Sequence, residues 1–361
     1  MKPIAGMILT PAGWLRGRIA GDLTIRSIEP DAGAPADRFI LPGFIDLHVH
    51  GGEGADCMDG TDAVRHMARF HARHGTTSLL PTTVTAPAAD LRRAMVGIEA
   101  AMPGEDGAAR ILGVHLEGPF ISPQALGAQP AFAIPPDLAL VDELSKLAPI
   151  RVATMAPEID PDGALLARFL LLGTRVQLGH TLCGYDQARA ALDAGAAGFT
   201  HLFNAMSGMH HRNPGCVGCA LAHGNAAEMI FDFQHVSAGA MLASLRAIPR
   251  LYGVTDAVAA CGMPDGEYRL GSHPIFKREN AVRLTDGTLA GSLLTMDLAL
   301  RHLLALGLPM AEAALRLSTF PAEYLGLEDR GRIAPGFAAD IVVVDASGQL
   351  QAVFVAGREV V

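Results

Sequence analysis

The chain alternates two kinds of hydrophobic pattern. Apolar runs of five to eight residues recur at 44–50 (FIDLHVH), 76–80, 111–116, 151–155, 174–180, 198–202, 228–235 and 251–255, and read as strands. Between them apolar residues return every three or four positions, the helical period. The clearest helix is 61–74 (TDAVRHMARFHARH), with Thr61 or Asp62 as N-cap and Gly75 as its stop. Further helices are predicted at 88–102, 137–147, 162–172, 185–194 and 238–247. Eight strands alternating with helices is the count of a (β/α)₈ barrel, here spanning residues 42–330.

Two segments break the alternation. Residues 1–41 read as short strands interrupted by Gly, Pro and Asp. The tail from Gly331 carries the strand-like DIVVVD and AVFVAG, separated by turn residues. The simplest arrangement pairs both chain ends, 1–41 and 331–361, into one small β-sandwich beside the barrel. A polar hairpin insertion is expected at 264–288, followed by helices at 291–306 and 310–318.

Composition adds limits. The 361 residues suit an enzyme barrel with an accessory domain, and 50% hydrophobic residues against 18% charged supply a large core. A net charge of −9 argues against a nucleic-acid or anionic-membrane partner, so an anionic small substrate would need local cations. Five cysteines, Cys57, Cys183, Cys216, Cys219 and Cys261, form no disulfide framework. Cys216 and Cys219 make a lone CxxC, read as buried thiols rather than a redox or zinc motif. The N-terminus lacks a signal-peptide pattern, and the longest uncharged run, 118–136, holds five prolines and cannot be a membrane helix. A soluble, cytoplasmic protein is expected.

The candidate chemistry lies at the strand ends. His48 and His50 stand two apart in a strand, so they share a face. The other predicted strands end in Glu117, His180, His201, His235 and Asp256, at the barrel end where such enzymes keep their sites. Each residue alone has a plain alternative: a hydrogen-bonded loop histidine, or an acid capping the next helix. Together they form an imidazole and carboxylate set suited to one or two Zn²⁺ or Fe²⁺ ions. A metal lowers the pKa of its water to about 7, and Asp256 beside it would act as general base and acid in amide hydrolysis. His66, His71 and His74 lie on a predicted helix and receive no role.

With these residues in view, the chain resembles the amidohydrolase superfamily and, within it, the N-acetylglucosamine-6-phosphate deacetylase family. The segments LPGFIDLHVHGG, GTTSLLPTTVT, GVHLEGPFISP, LGHT, THLFNAMSGMHHRNPG, VTDA and GRIAPGFAADIVVVD carry the resemblance. It implies hydrolysis of the N-acetyl group of N-acetylglucosamine 6-phosphate, the alternative being a related amidohydrolase acting on another N-acyl hexosamine phosphate, such as the galactosamine epimer, or on a different amide. Glu117, His180 and His201 would hold the principal metal, with His48 and His50 offering a second position and Glu117 bridging. Asp256 would be the catalytic acid and base. Ala128, Gln129, Asn204, the backbone of Ala205, Arg212 and His235 would bind substrate, Arg212 reaching the neighbouring subunit's site in a homodimer. One departure stands out. LGAQP places Gln129 where the family has a histidine facing the substrate carbonyl.

Overall fold

The computed structural model describes all 361 residues. Eight parallel strands form its centre: β1 (Phe44–Val49), β2 (Thr76–Thr83), β3 (Val114–Glu117), β4 (Ile150–Met155), β5 (Arg175–Leu178), β6 (Gly198–Phe199), β7 (Ala226–Ile230) and β8 (Arg250–Val254). β1 to β6 pair in chain order as one curled parallel sheet, and β7 pairs with β8. Hydrogen bonds cross both gaps. Leu202 N donates to Glu228 O, and Asp256 N donates to His48 O, at 2.9 and 2.8 Å. Every residue of β1 and β2 is buried, as expected of parallel strands covered on both faces.

The pairing of β1 with β2 slips between Asp46 and Val49: Asp46 faces Leu79 and Val49 faces Pro81, leaving one extra residue in β1. Such a bulge re-aims side chains at a strand end, here those around His48.

The helices follow the predicted order with local differences. The first runs Thr61–Ala72 with Gly60 as N-cap, so neither Thr61 nor Asp62 caps it; both are inside the first turn. The helix expected from 291 begins at Met296. Residues before it stay extended because Ser292 N donates to Asp256 O and Val258 N donates to Ser292 O. Gly215–His223 and Thr319–Leu325 are helices the sequence reading did not place. Glycines and a proline inside them mask the period, and tertiary packing of small residues overrides weak propensity. The expected hairpin is a three-stranded antiparallel sheet, Gly266–Leu270, His273–Arg278 and Ala281–Arg283.

Both chain ends meet in one seven-stranded sheet, in the order Arg358–Glu359, Leu350–Val355, Ile341–Asp345, Arg38–Pro42, Ile4–Thr10, Gly13–Gly21, Ile25–Pro30. The strands of the expected β-sandwich belong to one continuous hydrogen-bonded sheet. Ile4–Thr10 pairs with neighbours on both sides and Arg38–Pro42 pairs onward with Ile341–Asp345, so no break divides the strands into two sheets. The sheet instead curls around its own cluster of eleven buried apolar residues, Ile8, Ile19, Ile40 and Phe354 among them. Arg330, itself buried, ties it to the parallel sheet by donating to Ser78 Oγ at 3.0 Å beside Asp340 at 3.7 Å.

Where the curled sheet brings its ends together, Gly357 has φ +74° and a Cβ built there would lie 1.7 Å from the Asp22 carbonyl oxygen. Gly307 also has a positive φ, +91°, but open space around it. Gly307→Ala should therefore cost only the left-handed strain, about 1–2 kcal/mol. Gly357→Ala should cost clearly more, because backbone must move as well. Urea unfolding of the two variants checks the order; equal losses would mean the sheet ends do not meet as described.

Candidate metal centre

The candidate site residues come from the C-terminal ends of six parallel strands. His48 is the last residue but one of β1 with His50 just beyond it, Glu117 ends β3, and His180, His201, His235 and Asp256 follow β5, β6, β7 and β8. His180, His201 and Asp256 have left-handed backbone, φ +48°, +28° and +51°. Non-glycine residues held there carry strain of order 1–3 kcal/mol and cluster at functional sites.

His48 and His50, read as sharing a face, have their Nε2 atoms 3.3 Å apart. The Nε2 atoms of His180 and His201 are 3.2 Å apart. Glu117 stands between the pairs. Its Oε1 is 3.0 Å from Nε2 of both His180 and His201, and its Oε2 is 3.2 Å from His50 Nε2 and 3.5 Å from His48 Nε2. Asp256 Oδ1 closes the second group, 3.2 Å from His50 Nε2 and 3.5 Å from His48 Nε2.

The far side of the rings fixes what faces inward. His50 Nδ1 lies 2.8 Å from Thr82 O and His180 Nδ1 lies 2.9 Å from Ala125 O, so both must donate there. His48 Nδ1 donates to Glu228 Oε2 at 2.9 Å. A neutral imidazole then has only a lone pair on Nε2. Three such lone pairs and two carboxylates converge, acceptors against acceptors, which requires either trapped protons or a cation. Separations near 3.0–3.5 Å are those of atoms that share one ion at bonds of about 2.0–2.2 Å. The residues therefore fit a divalent metal, in two groups: Glu117, His180 and His201, and His48, His50 and Asp256. A third cluster, His48, His115 and Glu228, does not fit. His115 Nδ1 already donates to Leu47 O, and His115 Nε2 lies 2.8 Å from Thr154 Oγ1.

Without a cation His50 would hold a proton. Burial opposes charge on His50, but Asp256 and Glu117 outweigh it and raise its pKa to about 9. Burial likewise works against ionised Glu117, and His48, His180 and His201 still hold its carboxyl well below the usual range. By contrast, burial pushes His71 down to about 4, and its Nε2 meets Gly51 O; with His66 beside Glu53 and His74, in the turn after the helix, beside Asp297, these three histidines stay outside the site.

The candidate ligands other than His48 line a cavity of about 180 Å³ whose walls also include Ala128, Gln129, Asn204, Ala205 and His235, with Leu270, Thr288 and Leu289 from the three-stranded sheet and the segment following it. Gln129 does not point its amide into open space. Its Nε2 donates to Glu117 Oε2 at 2.6 Å, and its Oε1 accepts from Thr85 N at 2.7 Å. Asn204 Nδ2 donates to His201 O. Burial opposes charge on His235, yet its Nδ1 bond of 2.6 Å to Asp232 raises the pKa. No lysine or arginine lines the cavity; Arg212 is exposed, its Nη1 beside His211 Nε2 at 2.8 Å.

Sequence reading missed Glu228 and Asp232. Glu228 lay inside a strand, where an acid gave no sign of its orientation, whereas Asp232, three residues before His235, was legible as an orienting partner. All five cysteines are free and buried, and none joins a metal-like cluster.

Comparison with known proteins agrees with this geometry. The Amidohydrolase family model matches residues 39–161 and 281–360. The chain is 39% identical to the N-acetylgalactosamine-6-phosphate deacetylase of Escherichia coli O157:H7, over 98% of this chain and 97% of that protein. It is 40% identical to the N-acetylglucosamine-6-phosphate deacetylase of Vibrio furnissii, over 88% and 82%. The crystal structure of N-acetyl-D-glucosamine-6-phosphate deacetylase from Mycobacterium smegmatis superposes with a TM-score of 0.93 at 33% identity, covering 100% of both chains.

The Asp232–His235 pair gives a direct check. Asp232→Asn removes the charge that favours the imidazolium while leaving the burial that opposes it. The His235 pKa should therefore fall, visible in an NMR titration of its ring proton. An unchanged titration would separate His235 from Asp232.

Proposed function

The chain belongs to the amidohydrolase family, and from that premise we propose that it hydrolyses the acetamide of N-acetylglucosamine 6-phosphate to acetate and glucosamine 6-phosphate. The observation that carries this reading is the convergence of four imidazoles and two carboxylates, all but His48 lining one cavity. Its setting would be a (β/α)₈ barrel of residues 42–330, with 1–41 and 331–361 as one accessory β-domain. The hydrogen bonds across both gaps of the parallel sheet support that closure.

Glu117, His180 and His201 would hold the principal ion, with His48, His50 and Asp256 offering a second position and Glu117 shared between them. Nitrogen and oxygen donors at these separations favour Zn²⁺, with Fe²⁺ the next choice. When bound, the ion would supply a water of lowered pKa and polarise the amide oxygen. Asp256 takes a proton from the attacking water and returns it to the sugar nitrogen as the C–N bond breaks. Gln129 steadies Glu117, with Ala128 beside it in the wall. Asn204 and the backbone of Ala205 face the sugar.

The phosphate needs cations, and the cavity wall offers only His235. Arg212, exposed and outside this wall, fits as a donor to the site of a second copy in a homodimer, its planar fork matching a phosphate. Free thiols throughout agree with a cytoplasmic setting. The galactosamine epimer is the second reading, favoured by the Escherichia coli relative, which matches almost end to end.

An acetate-release assay over both epimers, with and without the 6-phosphate, tests the function. The phosphorylated glucosamine derivative should give the highest kcat/KM; equal rates without phosphate would overturn the assignment. Asp256→Asn should keep the principal ion and lose roughly 10²–10⁴-fold in kcat, and a loss under tenfold would remove it as the proton carrier. Arg212→Ala should raise KM for the phosphorylated sugar and leave it nearly unchanged for the unphosphorylated one. An active, strictly monomeric enzyme would count against Arg212 acting across a dimer.

A further inference from the structure

Glu228 is fully buried within β7, and no lysine or arginine pairs with it. A buried carboxylate is costly unless something compensates its charge. What faces it is His48. Oε2 accepts from His48 Nδ1 at 2.9 Å and from the main-chain N of His201 at 3.2 Å. The other close imidazole, His115, stands with Nδ1 3.9 Å away and donates elsewhere. Glu228 therefore has one ring to act on, and that ring points its other nitrogen at the metal position.

The inward-facing histidines are not supported alike. His50 and His180 donate to neutral backbone carbonyls. His48 alone donates to a carboxylate, and His201 Nδ1 has no partner. A carboxylate behind a ligating imidazole fixes the tautomer and raises the basicity of the ligating nitrogen. We infer that Glu228 is a positioning residue for His48, and that it governs filling of the second metal position formed by His48, His50 and Asp256. The inference rests on the metal reading given above. The principal position, built from Glu117, His180 and His201, depends on Glu228 only through one backbone contact.

The test is metal binding by the purified protein, with zinc titrated against a chelator. Wild type should take two equivalents. Glu228→Gln, nearly isosteric and uncharged, should keep the first and bind the second about 10–100-fold more weakly, the usual effect of losing such a partner. A variant that binds both as wild type does would overturn the inference, and so would a wild type saturating at one equivalent. If the variant does not fold, zinc-loaded wild type still decides. Its nitrogen NMR spectrum should show His48 protonated at Nδ1, with that proton far downfield and absent in His48→Gln. A proton on Nε2 would overturn the inference. Acetate release by the same preparation stands apart: none, with the second equivalent still dependent on Glu228, would remove the proposed substrate and leave this inference supported.

Discussion

The carboxylate of Glu117 is the contact on which the site depends. It is buried at the end of β3, where a bare negative charge would be expensive, and it is stabilised by imidazoles that arrive from three other strands. One oxygen serves each histidine pair. That division requires β1, β5 and β6 to end at the same height, and the short β5 and β6 and the bulge in β1 meet the requirement. The left-handed residues after β5, β6 and β8 are the backbone cost of the same demand. Gln129, held by Thr85, then fixes the remaining freedom of the carboxylate.

Much of this was legible in the chain because strand and helix periods differ. FIDLHVH declared both its burial and the shared face of its histidines, and the strand ends could be aligned without knowing the contacts. What stayed hidden depends on direction rather than identity. Glu228 is one acid in an apolar strand, and only the fold shows that it stands behind His48. Gln129 sat at a recognisable position, yet its partners, Thr85 and Glu117, lie 44 and 12 residues away. The helix Gly215–His223 escaped notice because glycine and cysteine supply its buried face, and those residues give no strong periodic signal. A helix expected from 291 started late because Ser292 was needed to hold the Asp256 backbone in place.

The support behind the ligands is graded. Neutral carbonyls orient His50 and His180, a carboxylate orients His48, and nothing holds His201 Nδ1. Two neighbouring positions that share Glu117 therefore differ in the polar groups behind them. The cavity wall differs again: it contains a histidine poised by Asp232, and no arginine or lysine. An anion bound there would have to be met by groups that can be neutral or that come from outside the wall.

The seven-stranded sheet has a temporal side. Arg38–Pro42 pairs on one edge with Ile4–Thr10 and on the other with Ile341–Asp345. A ribosome adding about 5–20 residues per second needs some tens of seconds to travel from the first of these segments to the last. During that interval one edge of Arg38–Pro42 has no partner, while the eight parallel strands are being made. An unpaired edge invites association with other chains. Nascent copies of this protein thus pass through a sticky stage whose length is set by the sequence inserted between two neighbouring strands.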